Sequence, residues 1–143
     1  MTWLLALHVC CTTLGLGGLV SANFPMALAA GHADPLLLAR MAGSALIANR
    51  IFGGVLGAGI LLGLATMGAA HVPPTAPWLV SSYALIVLGI AFQATVAIPW
   101  QRRVVDSAQT VAHPARTARL IAGAFLLEFI ALVCVMVVKP YAG

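Results

Sequence analysis

Charge is the scarcest property of this sequence. Of its 143 residues only three are acidic (Asp34, Asp106 and Glu128) and seven are Lys or Arg, so charged side chains make up 7% of the chain. A soluble domain carries about 25%, and so low a share excludes water as the main solvent. Cysteine is scarce too. Cys10, Cys11 and Cys134 all lie inside apolar stretches, vicinal Cys10 and Cys11 are poorly placed to bridge each other, and no disulfide framework is readable. Residues 1–7 contain no Lys or Arg, which removes the positive start of a signal peptide even though Ala27-Leu28-Ala29 resembles a cleavage site. The first apolar stretch therefore reads as a span. Internal repeats and low-complexity tracts are absent.

What fills the chain instead is hydrocarbon. Hydrophobic residues make up 62% and the mean hydropathy is +1.07. Four apolar runs cover roughly residues 3–30, 41–70, 78–99 and 117–138. Each reaches the ~20 residues that a helix needs to cross a ~30 Å hydrocarbon core. In lipid every backbone group must be paired within its own segment or in a closed barrel, so uninterrupted runs of this length are helices. The sequence predicts an all-α, antiparallel four-helix transmembrane bundle in one domain, residues 1–143, packed around a glycine-rich second span.

The few charges orient that bundle. Arg40, Arg102, Arg103 and Arg116 lie in the first and third connections, with Arg50 and Arg119 just inside the adjoining helices, while the opposite side holds Lys139. This asymmetry puts the arginine side in the cytoplasm and both termini outside it. Membrane edges thus account for the formal net charge of +4, and nucleic-acid binding is not expected. Trp3, Trp78 and Tyr141 fall at the outer interface and Trp100 at the inner one, the depths that amphipathic aromatics prefer. Pro35 suits the first turn of the second helix, the three prolines of residues 71–77 make a stiff connector, and the third helix can run past Trp100 until Pro114 stops it.

Small residues mark the faces expected to meet other helices. In the second span Gly53-xxx-Gly57 and Gly59-xxx-Gly63 are both small-xxx-small pairs. In the first, His8, Cys11, Gly15, Gly18 and Ala22 recur at three- and four-residue steps, which turns His8 into the bundle.

Two layers of unusual side chains follow. The outer layer holds His8, Cys11 and Cys134, with Met67, Ser82, Tyr83 and Met136 nearby. Imidazole and sulfur suit haem iron, Cu(I) or zinc, yet cysteine and methionine also serve as ordinary packing residues. His8 is either a structural donor, to Ser82 or a backbone carbonyl, or a ligand. The inner layer holds Asn23, Asn49, Arg50, Gln93 and Glu128. An unpaired charge there is costly, so an Arg50–Glu128 contact closed by Gln93 or Asn23 is expected, serving as a structural ion pair, a proton path or a cavity for a polar head group. Lys139 is expected to snorkel at the outer surface. His32, His71 and His113 lie in connectors on different sides and read as solvated loop residues.

His8 followed by Gly17-Gly18, Arg40 and Arg50 at the start of span 2, and Glu128 before a closing Val137-Val138-Lys139-Pro140 resemble the HemJ-type protoporphyrinogen oxidases and the copper-resistance protein D-like domains. Met136-Val137-Val138-Lys139-Pro140 looks most like an uncharacterised family of small four-span bacterial integral membrane proteins. The resemblance covers the whole chain and implies a bacterial inner membrane. It also implies His8 as an axial ligand to haem b, Lys139 near a haem propionate or substrate carboxylate, and a quinone as electron acceptor. Residues 78–99 contain no Lys or His, so a second haem ligand is not visible.

Three functions are consistent with these residues. One is a small membrane subunit or scaffold packing against a larger complex or a further copy, favoured by minimal loops and the lack of a complete catalytic constellation. The second is haem or porphyrin handling through His8. The third is copper handling through His8, Cys11 and Cys134. Transport is not indicated, because transporters commonly show repeats and helices broken at the midplane, and the four spans read as unbroken.

Overall fold

The computed structural model describes residues 2–32, 34–107 and 114–137. Within them the chain forms four long helices and no strand: α1 (Thr2–Ala29), α2 (Pro35–Ala69), α3 (Pro77–Ser107) and α4 (Pro114–Val137). All four are long and apolar enough to cross a membrane, and they make an antiparallel four-helix transmembrane bundle. Local chemistry sets their ends. Asp34 caps α2, accepting from Leu36 N at 2.9 Å and Leu37 N at 3.1 Å, with Pro35 in the first turn. The helix closes when His71 turns to a φ of 54° and Val72 N reaches back to Met67 O at 3.2 Å. This left-handed closure satisfies carbonyls that the last turn would otherwise leave bare.

The helices run further than the apolar runs alone indicate. α2 begins at Pro35 rather than 41, and α3 continues to Ser107 rather than ending at 99. Neither is α3 unbroken, since Gln93–Ala97 forms a π-helical turn in which Ile98 N bonds Gln93 O. Thr95 Oγ1 covers the Ala91 carbonyl in the same stretch at 2.7 Å. The π turn lies where α3 changes neighbours: before it the helix packs on α4, after it on α2. α1 carries Pro25 inside its last two turns, where the missing N–H removes one helical hydrogen bond.

The most extensive contact is between α1 and α2, and glycine makes it possible. A Cβ on Gly15 would lie 2.8 Å from the backbone nitrogen of Leu56. A Cβ on Gly59 would lie 3.0 Å from the backbone nitrogen of Thr12, and one on Gly18 would overlap the Phe52 ring. The seam thus steps along both helices as His8 on Gly63, Thr12 on Gly59, Gly15 on Leu56, Gly18 on Phe52 and Asn23 beside Asn49. Lipid tails are as apolar as leucine, so such close packing, rather than water exclusion, holds helices together in a membrane. Of the two glycine pairs in span 2, Gly59 and Gly63 serve this seam. Gly57 has nothing within 4 Å of a would-be Cβ, and Gly53 has only Gln93 Nε2 at 3.9 Å.

Packing is uneven along the bundle axis. At the arginine end, Met26, Ala42, Ala45, Ala97, Val104, Ala118, Ile121 and Phe125 are all at most 2% exposed. Towards the end where the termini lie, buried residues are fewer: Thr12, Gly15 and Leu16 on α1, Leu56 and Gly59 on α2, Leu79 and Ser82 on α3, and Leu132 on α4.

The seam gives a stability test. Gly15→Val forces a branched side chain into the Leu56 backbone and should lower stability by about 1–3 kcal/mol, the usual cost of overpacking. Gly68→Ala, which meets nothing within 4 Å, should be neutral. Unfolding by sodium dodecyl sulfate in mixed micelles, followed by circular dichroism, separates the two, and equal midpoints would disprove the seam.

Candidate functional site

Hydrogen bonds between helices set the depth of every polar residue. Asn23 Nδ2 donates to Asn49 Oδ1 at 3.1 Å, Asn49 Nδ2 to Gln101 Oε1 at 3.0 Å, and Gln101 Nε2 back to Asn23 Oδ1 at 2.7 Å. Three carboxamides from α1, α2 and α3 therefore close a ring in which each gives one bond and takes one. Asn23 Nδ2 also reaches Leu19 O at 2.7 Å, and Gln101 Nε2 lies 3.8 Å from Met26 Sδ. All three side chains are at most 2% exposed. Buried polar groups at this depth are tolerable because they satisfy one another.

The ring brings together Asn23 and Asn49, as the sequence indicates, but its third member is Gln101, not Gln93. Gln101 is easily passed over because it sits between Trp100 and the Arg102-Arg103 pair, in what reads as the start of a connector. Its signal is the possible extension of the third helix to Pro114. Trp100, at the expected depth, is packed inside the bundle at 8% exposure with its Nε1 lacking a partner, rather than lying on the surface as an interface anchor.

The expected Arg50–Glu128 contact does not form. Arg50 is exposed, and neither residue makes a hydrogen bond or ion pair with a described residue. Depth is the reason. Asn49 is bonded to Gln101, which places Arg50 level with Gln101 and next to the Arg102 level. Residues 51–69 of α2 then span about 28 Å at 1.5 Å per residue, one hydrocarbon thickness, so Arg50 stands at the membrane edge. Glu128 instead lies against Gly89, where its carboxylate occupies the space a Cβ would take. Gly89 is twelve residues from Gln101 on the same helix, about 18 Å along the axis. An arginine at the edge cannot reach a carboxylate at the midplane. Gln93 is partly buried, with Nε2 facing Gly53 and no hydrogen bond to a described residue.

Near the termini end, His8 sits on the α1–α2 seam. Its Nδ1 lies 2.7 Å from the Gly59 carbonyl oxygen. A carbonyl only accepts, so Nδ1 carries the proton and Nε2 keeps its lone pair. A Cβ on Gly63 would lie 2.7 Å from the ring, so this glycine is what lets the imidazole lie flat against α2. Ser82 does not meet His8; its Oγ bonds Trp78 O at 2.8 Å in its own helix. Tyr83 bonds Met67 Sδ at 3.2 Å and ties α3 to the end of α2.

The sulfurs do not complete a metal site around His8. Cys11 packs beside Gly59, with its Cβ 3.2 Å from the position a Gly59 side chain would take, while Cys10 and Cys134 are exposed. Among the described residues no three His, Cys, Asp or Glu side chains gather in a way that could hold a metal ion. The His8–Cys11–Cys134 triad is thus not assembled, and the sulfurs sit where apolar residues would. His32 and His71 are exposed in connectors; Lys139 and His113 lie outside the described residues.

A further feature is a groove of about 710 Å³ on the side of α1 turned away from the core, lined by Val9, Cys10, Thr13, Leu14, Gly17, Gly18, Ser21 and Phe52. Thr13, Gly17 and Ser21 recur every four residues along it, and Gly17 has nothing within 4 Å of a would-be Cβ.

The amide ring should behave as one unit. Gln101→Leu strips a partner from both Asn23 and Asn49 and should cost about 1–3 kcal/mol. Adding Asn49→Leu should cost much less than a second such amount, because the ring is already open. Additive effects in the unfolding titration would contradict the closed ring.

Comparison with known proteins agrees with the architecture. No curated protein and no solved structure matches the chain. One family model matches residues 2–140, nearly the whole length. The likeness to HemJ-type oxidases and copper-resistance protein D-like domains rests on the residues quoted above alone. With its four apolar helices and that match, the chain belongs to the family described as predicted integral membrane protein (DUF2269).

Proposed function

We propose that this protein is a small membrane subunit or scaffold whose α1 seats a transmembrane helix of a larger membrane complex. The groove on α1 carries this reading. α1 already uses one glycine-bearing face, Gly15 and Gly18, to pack on α2. The adjoining Thr13-xxx-Gly17-xxx-Ser21 stripe lines a concave surface that no helix of the chain fills. Glycine in a helix costs about 1 kcal/mol relative to alanine, and small residues on a membrane-facing stripe are what close helix association requires. The positive-inside rule supports placing the arginine end in the cytoplasm.

A second reading, haem binding at His8, is favoured by one observation. The Nδ1–H bond to Gly59 O fixes the tautomer with Nε2 unprotonated, the arrangement found in histidines that bind a metal through the other nitrogen. The fit is partial. Met67 Sδ, a candidate for the opposite axial position, is engaged by Tyr83.

Gly17→Leu fills the groove without touching the bundle and separates these readings. The wild type in nanodiscs should run as an assembly larger than one chain, and the variant should weaken association at least about tenfold, or ~1.4 kcal/mol, with unchanged helicity. A wild type that is monomeric at every concentration would refute the subunit reading. For the second reading, the purified protein should show a Soret band that is lost in His8→Ala; a colourless protein reconstituted with haem b and still without the band would end it.

A further inference from the structure

Glu128 poses a problem that no described residue of the chain solves. It lies against Gly89, which is twelve residues from Pro77 at the start of α3 and twelve from Gln101, so it stands about 18 Å from each, near the middle of the hydrocarbon layer. That is too deep for so short a side chain to reach water by snorkelling. The carboxylate is held between helices, against the backbone of Gly89, and it bonds to no described residue. A bare carboxylate does not persist in such a medium; it carries a proton or meets a cation.

The surroundings show what kind of cation fits. One turn towards the arginine end, Phe92 and Phe125 meet edge to face with centroids 6.0 Å apart and close the α3–α4 interface. Below them lie the buried core and the amide ring. Towards the termini end, the only buried residues on α3 and α4 beyond this point, among those described, are Leu79, Ser82 and Leu132. The aromatic pair thus closes the α3–α4 interface one turn towards the arginine end from the carboxylate, while packing thins towards the termini end. A hard metal cation takes about six or more oxygens, whereas here the only other polar side chain within a turn of Gly89 on α3 is Gln93. An apolar organic cation needs only the charge and an apolar or aromatic surface, and the lack of a side chain at Gly89 is what lets the carboxylate lie between the two helices.

We propose that Glu128 is a mid-membrane binding site for a lipophilic organic cation, of the ammonium or phosphonium type, taken up in exchange for a proton. The carboxylic acid releases its proton to water and the carboxylate pairs with the cation; no covalent bond to carbon changes and no redox partner is needed. Titratable groups on the packed helices are engaged or distant. On α1, His8 is bonded to Gly59, Cys11 lies on the α2 side and Cys10 is exposed in the groove; on α3, Tyr83 is bonded to Met67. On α4 itself, Cys134 is exposed. The inference does not depend on the groove of α1 or on haem.

Equilibrium dialysis of tetraphenylphosphonium against the protein in nanodiscs tests it. Saturable binding of about one cation per chain is expected, with apparent affinity falling by up to about tenfold per pH unit on acidification, the slope of one proton exchanged. Glu128→Gln should abolish the saturable component while keeping the helicity of the wild type, and Glu128→Asp should retain weakened, still pH-dependent binding. An apolar carbodiimide should modify Glu128, detected by mass spectrometry, and tetraphenylphosphonium should protect it. Binding that is absent from the wild type, or equal in Glu128→Gln, overturns the proposal. So does a carbodiimide cross-link from Glu128 to a lysine of another chain, which would make the carboxylate a contact for a partner helix.

Discussion

The ring of Asn23, Asn49 and Gln101 fixes the relative depth of three helices, and much of the remaining geometry depends on that register. A transmembrane helix can slide along its neighbour at small cost wherever the contact is purely apolar, because one aliphatic surface resembles the next. Three carboxamides that must satisfy one another allow no such freedom. A shift of one turn would leave several polar groups bare in or near hydrocarbon, each costing more than any packing it could gain. Once Asn49 is locked to Gln101, Arg50 falls level with the other arginines at the membrane edge, and the nineteen residues beyond it have the length of one hydrocarbon crossing. The tight core at the arginine end forms around this fixed point.

Glycine then divides the bundle into two kinds of surface. Gly15, Gly18, Gly59 and Gly63 are places where a Cβ would strike a neighbouring helix or the His8 ring; they are required by the fold as it stands. A Cβ on Gly17, Gly54, Gly57, Gly68 or Gly123 would meet nothing of another helix within 4 Å among the described residues. Those open glycines weaken their helices without any return in intramolecular packing. In a membrane, where association rests on close approach of backbones, that pattern separates the contacts which build the chain from surfaces able to receive something else. The stripe through Gly17 is the one that is also concave.

The architecture was legible because lipid imposes a blunt rule. Runs of about twenty apolar residues must be helices, so four spans and their antiparallel order could be read directly. Face was legible as well: the periodicity through His8, Gly15 and Gly18 correctly identified the side of α1 that meets α2. Depth was not. Residue spacing says which side of a helix a group occupies, but depth must be counted from an end, and α2 starts six residues before its apolar run does. Pro35 marks the start of α2, but the pairing of Arg50 with Glu128 follows from the cost of an unpaired charge and not from a count of depth from that start. Gln101 reads as a connector residue although the third helix is expected to run past Trp100, as it does, to Ser107. The π turn at Gln93–Ala97 has no counterpart in the hydropathy pattern, since it arises from α3 having to leave α4 and join α2.

The distribution of unfinished valences follows the distribution of packing. At the arginine end, where burial is nearly complete, the hydrogen-bonding capacity of the amides is met within the chain. In the middle and towards the termini end, where α2, α3 and α4 bury fewer residues, His8 retains a lone pair on Nε2, and Gln93 and Glu128 have no hydrogen bond or counter-charge among the described residues. Were these groups needed only to hold the bundle together, they would sit at its tight end and pair with one another, as Asn23, Asn49 and Gln101 do. Were they merely tolerated, apolar residues of similar size would serve better, since replacing an unpaired buried charge by a well-packed hydrophobe stabilises a structure. The loose half thus carries polar groups left unpaired among the described residues, and the Phe92–Phe125 pair separates Glu128 from the half whose amides satisfy one another. The arginine side is the part that holds the register.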